Sequence, residues 1–203
     1  MPTPTPEPPG ASMSASVLVI AGSTRTEAFS KQLARAAARS IDQAGGTATL
    51  VDLRDYPLPL YDGDLEASIG LPEQALRLRE LMLRHQALLV ATPEYNASIP
   101  AVLKNAIDWV SRPHAPEPGV SAYRDKVAAL LSSSPGALGG LRGLVHLRQI
   151  LQNVGCLVIT EQFALGNAGA AFDADGNLAD ARQAAGVAGV VRRLLDVSGK
   201  LAG

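Results

Sequence analysis

The sequence predicts an α/β protein, a three-layer sandwich in which a five-stranded parallel sheet lies between two layers of helices. Strand and helix patterns alternate along the 203 residues, and this is the order of a parallel sheet with helical crossovers. The predicted strands are apolar runs without polar alternation, as expected for strands covered on both faces. The length suits one domain with an ample core.

The first half of the chain supplies two strands and one helix. Residues 16–21 read SVLVIA, a short buried strand that ends in glycine. A helix is predicted over 27–44, because apolar side chains recur there at helical spacing and two glycines follow. A β-branched strand follows over 47–53. Residues 54–70 form a long, polar, proline-containing connection.

The second half continues the alternation. Pro72 opens a helix, since proline suits the first helical turn. Asp180 is a candidate cap of the last helix. The predicted elements are a helix over 72–84, a strand over 86–91, a helix over 99–110, a strand over 126–131, a helix over 138–154, a strand over 156–160 and a helix over 177–195.

Composition excludes several classes of protein. Eighteen Lys and Arg residues face nineteen Asp and Glu residues, for a net charge of −1. This balance argues against nucleic-acid or membrane-surface partners. The one cysteine, Cys156, lies in an apolar stretch and is predicted to be a buried structural thiol. The sequence has no metal-spaced cluster of His and Cys, so no metal site is expected.

Residues 1–15 are rich in Pro, Thr and Ser, and they lack the basic and apolar regions of a signal peptide. Such a composition buries too little apolar surface to offset the entropy of ordering. We therefore predict a disordered tail over 1–15 and one folded domain over 16–203. No apolar run approaches the length of a membrane span, so a soluble, cytoplasmic protein is expected.

The turn after the first strand suits a phosphate. Hydroxyls, the Arg25 cation and main-chain amides precede a helix start, and helix N-termini attract anions. The alternative is that Ser23 and Thr26 only cap the helix. The turn has neither the Walker pattern nor the dinucleotide fingerprint.

The loop after the third strand, residues 93–100, is the most informative stretch of the sequence. Prolines stiffen both ends, and an aromatic ring, an amide and a hydroxyl lie between them. Such a loop can hold a flat heteroaromatic ligand against Tyr95 and its main-chain amides. A capped helix start would explain Ser98 but not Glu94, Tyr95 and Asn96. Trp109, on the helix that follows, is predicted to pack in the core or an interface.

The loop after the fourth strand, residues 132–140, is built from small hydroxyl residues and glycines. Glycine allows a backbone to approach a ligand closely. In a parallel sheet this loop, the first turn and the loop at Tyr95 share one edge, where ligands bind in open α/β folds.

With these motifs the chain resembles the NADPH-dependent FMN reductases of flavodoxin-like fold, a group that includes chromate, quinone and azo reductases. Residues 93–100 and 103–109 (LKNAIDW) carry the resemblance most specifically. It implies the strand order 2-1-3-4-5 and an FMN-binding domain over 16–203. The FMN-binding residues that it implies are Ser23, Arg25 and Ser30 at the phosphate, Pro93, Glu94, Tyr95, Asn96 and Ser98 along the ring and ribityl chain, and Ser133, Ser134 and Gly136 at the opposite part of the ring.

The resemblance also implies a reaction. NADPH would deliver hydride to N5 of FMN, and a flavin, quinone, azo or metal-oxyanion acceptor would then take the electrons in a ping-pong sequence, with no catalytic side chain. A homodimer or homotetramer is implied, with its interface near Trp109, Tyr61 and Asp62. Arg112 or Arg124 could meet the 2′-phosphate of NADPH.

Two departures from the family pattern, Ala28 and Ser30, remove a phosphate-facing hydroxyl and an amide, which bears on how tightly FMN binds. A flavodoxin-like electron carrier and a flavin-binding sensor without turnover remain the alternatives to an enzyme. Carriers are usually strongly acidic, which a net charge of −1 does not match.

Overall fold

A computed structural model describes residues 15–202 of the chain. Five parallel strands form one sheet in the order β2-β1-β3-β4-β5, which confirms the predicted fold class and strand order. The predicted disordered tail, apart from Ala15, lies outside the described residues. The strands are β1 (Ser16–Ala21), β2 (Thr47–Asp52), β3 (Ala87–Thr92), β4 (Val127–Ser133) and β5 (Leu157–Leu165).

Helices cover both faces of the sheet. Helices α1 and α6 pack on one face, and α3, α4 and α5 on the other. Alternate residues of each strand serve the two layers: Val17 and Val19 face α1 and α6, whereas Leu18 and Ile20 face the opposite layer. The helices are α1 (Phe29–Gln43), α2 (Gly63–Ile69), α3 (Glu73–Arg84), α4 (Ala101–Val110), α5 (Leu141–Asn153) and α6 (Ala181–Ala202).

Several element boundaries differ from the sequence prediction, and three of these differences have a clear physical cause. Helix α2 lies inside the predicted connection and buries no side chain, so its sequence has no apolar stripe. Helix α6 begins at Ala181 because the Asp180 carboxylate accepts the N–H groups of Arg182 and Gln183 at 2.8 and 2.9 Å. Strand β5 continues to Leu165, beyond the predicted end at residue 160, because the polar Glu161 and Gln162 interrupt the apolar run that resumes at Phe163.

The sheet brings the carboxyl ends of β1, β3 and β4 side by side. The Gly22 N–H donates to the Ala91 carbonyl at 2.8 Å, and Thr92 pairs with Ser132. A Cβ at Gly22 would lie 2.9 Å from the Thr92 hydroxyl, so glycine is required where the first turn leaves the sheet. Among the described helices, none is long and apolar enough to cross a bilayer.

Candidate functional site

A cleft of about 230 Å³ opens at this edge of the sheet, between the loops that follow β1, β3 and β4. Eight of the eleven predicted FMN-binding residues line it. The lining residues are Ser23, Arg25, Ala28, Phe29, Ser30, Pro93, Glu94, Tyr95, Ser133, Ser134 and Pro135.

Two buried hydroxyls in the cleft have no partner. Ser30 and Ser133 are 1% and 2% exposed, and neither Oγ atom has a hydrogen-bond partner among the described residues. A buried polar group without a partner costs free energy, so these hydroxyls mark positions where a polar ligand would be stabilised.

The turn between β1 and α1 leaves the start of α1 available to an anion. The N-cap of α1 is Ala28, and no side chain caps the helix, which contradicts the alternative that Ser23 and Thr26 cap it. The Ser23 hydroxyl instead accepts the Arg25 N–H at 3.2 Å. The Arg25 guanidinium donates to the Glu27 carbonyl and lies 5.7 Å from the centre of the Phe29 ring.

These groups fit FMN. Unpartnered hydroxyls, a guanidinium and an uncapped helix N-terminus are the donors that a phosphate requires. Ala28 and Ser30, the two departures from the family pattern, both line the cleft. The Ser30 hydroxyl is one of its two buried hydroxyls without a hydrogen-bond partner. The site therefore keeps a donor at residue 30, although a hydroxyl is smaller than an amide.

The β3–α4 loop forms a two-residue turn beneath Tyr95. Main-chain bonds join Tyr95 and Ser98 in both directions, at 2.9 and 3.0 Å. Asn96 and Ala97 between them have φ of 51° and 63°, which is the left-handed geometry of a tight hairpin turn. The Tyr95 ring is 52% exposed at the cleft. Because the turn uses the Tyr95 N–H, that group cannot also serve a ligand.

Glu94 holds the loop to α5. Its carboxylate accepts bonds from Arg142 Nε at 2.8 Å and from the Gly143 N–H at 3.1 Å. Burial alone would raise the pKa of the Glu94 carboxyl, but the hydrogen bonds from Arg142 and Gly143 hold that pKa below its usual range. Glu94 lines the cleft as predicted, yet its carboxylate caps a helix.

Three predicted residues, Asn96, Ser98 and Gly136, do not line the cleft. The Ser98 Oγ lies 2.9 Å from Nδ1 of His146 on α5, and Asn96 is an exposed residue of the left-handed turn. Gly136 is exposed, and its N–H donates to the Ser134 hydroxyl at 3.2 Å.

The β4–α5 loop forms the opposite wall. The Ser132 hydroxyl, beneath the cleft, donates to the Gly139 carbonyl at 2.8 Å, and the Ser134 N–H donates to Leu165 at 3.1 Å. Gly139 has φ of +61°, and a Cβ there would lie 2.7 Å from the backbone of β5. Glycine therefore lets this loop close onto the sheet.

Sequence reasoning missed two lining residues, Phe29 and Pro135. Their side chains carry no polar chemistry, so the residue types gave no signal. Only their positions, beside Ser30 and Ser134 in the loops already singled out, could have suggested them.

Several side chains that we singled out lie outside the cleft. Trp109 is fully buried and donates from Nε1 to the Pro59 carbonyl at 2.8 Å, which confirms a packing role. Cys156 is buried, and burial raises the pKa of its thiol to about 12, in keeping with a structural thiol. Within residues 15–202 no group of three or more His, Cys, Asp or Glu residues could hold a metal ion.

The structure does not bring Arg112 or Arg124 to the cleft. Arg112 follows α4 and pairs through Nε with both Glu66 oxygens, at 3.0 and 2.9 Å. Arg124 lies beside Gly155 in the segment that leads into β4. Both arginines therefore lie toward the amino-terminal edge of the sheet, opposite the cleft.

Comparison with known proteins shows which family the chain resembles. Residues 15–170 match the family model of NADPH-dependent FMN reductases. The chain is 39% identical over 167 residues to a quinone reductase of Pseudomonas putida, covering 81% of this chain and 85% of the relative. It is 34% identical to a 2-hydroxy-1,4-benzoquinone reductase of a Burkholderia species, covering 82% and 86%.

A solved structure agrees with these relatives. FerB of Paracoccus denitrificans, a flavoenzyme NAD(P)H:(acceptor) oxidoreductase, is 31% identical, with a TM-score of 0.78 over 92% of this chain and 98% of FerB. A family match over most of the chain, relatives above 30% identity and a solved structure of the same fold agree in one assignment. The chain is a member of the NADPH-dependent FMN reductase family, flavin enzymes that oxidise NAD(P)H.

Proposed function

We propose that the cleft binds FMN, with its phosphate at the β1–α1 turn and its ring between Tyr95 and the 133–135 wall. The observation that carries this proposal is the pair of unpartnered buried hydroxyls, Ser30 and Ser133, on opposite sides of one cleft. When bound, FMN takes up hydride from NADPH and passes two electrons to an acceptor.

In this proposal the residues of the chain bind FMN and orient it. Ser23, Ser30 and Arg25 hold the phosphate end, and the start of α1 adds its positive dipole. The Glu94 ion pair and the Ser98–His146 contact fix the loop that carries Tyr95. No acid, base or nucleophile from the protein is required, which is consistent with a cleft whose carboxylate, Glu94, is held by Arg142 and the Gly143 N–H.

We propose a quinone as the acceptor. Two of the relatives that span more than four fifths of this chain are a quinone reductase and a 2-hydroxy-1,4-benzoquinone reductase. The exposed Tyr95 ring offers a flat acceptor an aromatic surface at the mouth of the cleft.

The test is an anaerobic titration of the FMN-loaded protein with NADPH, followed by addition of a benzoquinone. We expect the flavin absorption to bleach at about one NADPH per flavin and to return when the quinone is added. A flavin that NADPH does not bleach would support a carrier or sensor instead. A protein that retains no FMN would overturn the assignment of the cleft.

We also propose a homodimer or homotetramer. The interface near Trp109 that the resemblance implies has little support, because residues of the same chain bury that ring. Three large apolar side chains beside the cleft, Leu138, Leu141 and Val145, are exposed and form a better candidate. Light scattering should give a multimer for the wild type and a smaller species for Val145→Glu. A cytoplasmic location stays a prediction.

A further inference from the structure

Arginines at the rim of the cleft differ in whether an acidic side chain neutralises them. The Arg142 guanidinium is paired with the Glu94 carboxylate. Arg25 and Arg54, in contrast, form no salt bridge with any acidic side chain of residues 15–202. Two guanidiniums without a counter-charge at one rim indicate a site for anions.

Arg25 and Arg54 bracket the same turn from opposite sides. Arg25 lines the cleft and donates to the Glu27 carbonyl. Arg54 follows the end of β2 and donates from Nη1 to the Thr26 hydroxyl. This bond holds the Arg54 side chain in place before any ligand arrives, which lowers the entropic cost of binding.

Arg54 stands between the cleft and a second depression of about 190 Å³, which lies between α1 and the end of β2. Its neighbours Asp52 and Asp55 line that depression. The Lys31 ammonium, 2.7 Å away, neutralises Asp52. Leu50 also lines the depression and is 44% exposed, so it offers an apolar surface to a planar base.

One FMN phosphate does not account for both guanidiniums. Arg25 shares the cleft with the buried Ser23 and Ser30 and serves that phosphate, whereas Arg54 lies outside the lining. A cleft of about 230 Å³ has no room for a second nucleotide beside FMN, so the adenosine half of a dinucleotide must lie on the rim.

We propose that Arg54 binds a phosphate of the nicotinamide dinucleotide and that the adenosine lies in the depression beside Leu50. This inference rests on the proposed function. The phosphate is either the 2′-phosphate, which only NADPH carries, or the pyrophosphate, which NADH shares. Glu27 and Asp55 are exposed at the same rim, so attraction comes from direct contact with the guanidinium rather than from the net charge of the surface.

The test measures binding of 2′,5′-ADP and of ADP to the FMN-loaded protein by calorimetry, for the wild type and Arg54→Gln. We expect Arg54→Gln to weaken binding of 2′,5′-ADP by about tenfold, the loss of one charge-assisted hydrogen bond. A loss confined to 2′,5′-ADP assigns the 2′-phosphate, and an equal loss for ADP assigns the pyrophosphate. Leu50→Asp should weaken both analogues alike.

Arg192→Gln is the matched control, since Arg192 is an exposed arginine far along α6. Arg192→Gln should leave the affinities for 2′,5′-ADP and ADP unchanged. Unchanged analogue binding in Arg54→Gln would overturn the inference, as would an equal loss of FMN affinity, which would assign Arg54 to the flavin phosphate. Failure of NADPH to bleach the wild-type flavin bears on the proposed function alone, because analogue binding is measured without turnover.

Discussion

The Ser98 hydroxyl lies 2.9 Å from Nδ1 of His146, which joins the β3–α4 loop to α5 one helical turn beyond the Glu94–Arg142 ion pair. Arg142 and His146 are four residues apart and so lie on one face of α5. The loop that carries Tyr95 is therefore held at both ends by a single helix face.

This arrangement predicts that Ser98 acts on FMN through the loop. Ser98→Ala and His146→Ala should each raise the FMN dissociation constant by about two- to tenfold, because each removes one hydrogen bond worth about 0.5–1.5 kcal/mol. The double variant should lose no more than either single variant, as in a double-mutant cycle for one shared contact.

Fluorescence titration of the apoprotein with FMN gives these constants, and Gln149→Ala, an exposed change on the same helix, is the control. A large loss in Ser98→Ala with none in His146→Ala would show instead that the serine contacts the flavin, as the sequence alone suggests.

Glu94→Gln should destabilise the protein in a way that depends on pH. The native pKa of this carboxyl is lowered, so its contribution to the free energy of unfolding is present above the unfolded pKa of about 4.3 and is lost as pH falls through the native pKa. At pH 7 we expect a loss of about 1–3 kcal/mol from the broken ion pair and weaker helix cap.

Urea unfolding at pH 7, 5 and 3.5 measures this difference, which should shrink at the lowest pH. Glu80→Gln removes an exposed pair with Arg84 and should cost less than about 1 kcal/mol. A penalty for Glu94→Gln that stays constant across this range would contradict a role for the ionised carboxylate.

Arg25→Ala should weaken FMN but not riboflavin. The guanidinium lies at the phosphate end of the cleft, and a hydrogen bond to a charged group contributes about 1.5–3 kcal/mol. The FMN dissociation constant should rise at least about tenfold, and the wild-type advantage should shrink at high salt. Riboflavin lacks the phosphate, so its affinity should be the same in both proteins; equal FMN affinities would exclude the phosphate role.

The sequence alone was enough to predict the sheet, because buried parallel strands appear in a sequence as local apolar runs. The β1 run, for example, is apolar on both faces since two helix layers cover it. Helix α2 was not predictable in this way. It buries no side chain, and its start depends on the Asp62 carboxylate, which accepts the Asp64 N–H at 2.8 Å.

The candidate site was likewise only partly predictable from the sequence. Residue types and their places at strand ends were enough to find Ser23, Arg25 and Tyr95 in the cleft. They were not enough to predict the direction in which Glu94 and Ser98 point, because the partners of these side chains on α5 are 48 or more residues away. Nothing local distinguishes a carboxylate that meets a ligand from one that caps a distant helix.

We expect the unpartnered hydroxyls of Ser30 and Ser133 to favour FMN binding and to lower the stability of the FMN-free protein. Ser30→Ala and Ser133→Ala each remove a buried group that lacks a partner in the apoprotein. Without FMN, each variant should therefore be as stable as the wild type or more stable by about 1 kcal/mol. With FMN, each should bind the flavin more weakly, because the ligand that satisfied the hydroxyl loses a donor.

Ser132→Ala is the matched control. Its hydroxyl is equally buried but donates to the Gly139 carbonyl at 2.8 Å, so its loss should destabilise the apoprotein by about 1 kcal/mol. Thermal unfolding with and without saturating FMN separates the two cases, since a ligand stabilises according to its affinity for the native state. If Ser30→Ala and Ser133→Ala destabilise the apoprotein as Ser132→Ala does, then both hydroxyls have partners within the protein and do not await a ligand.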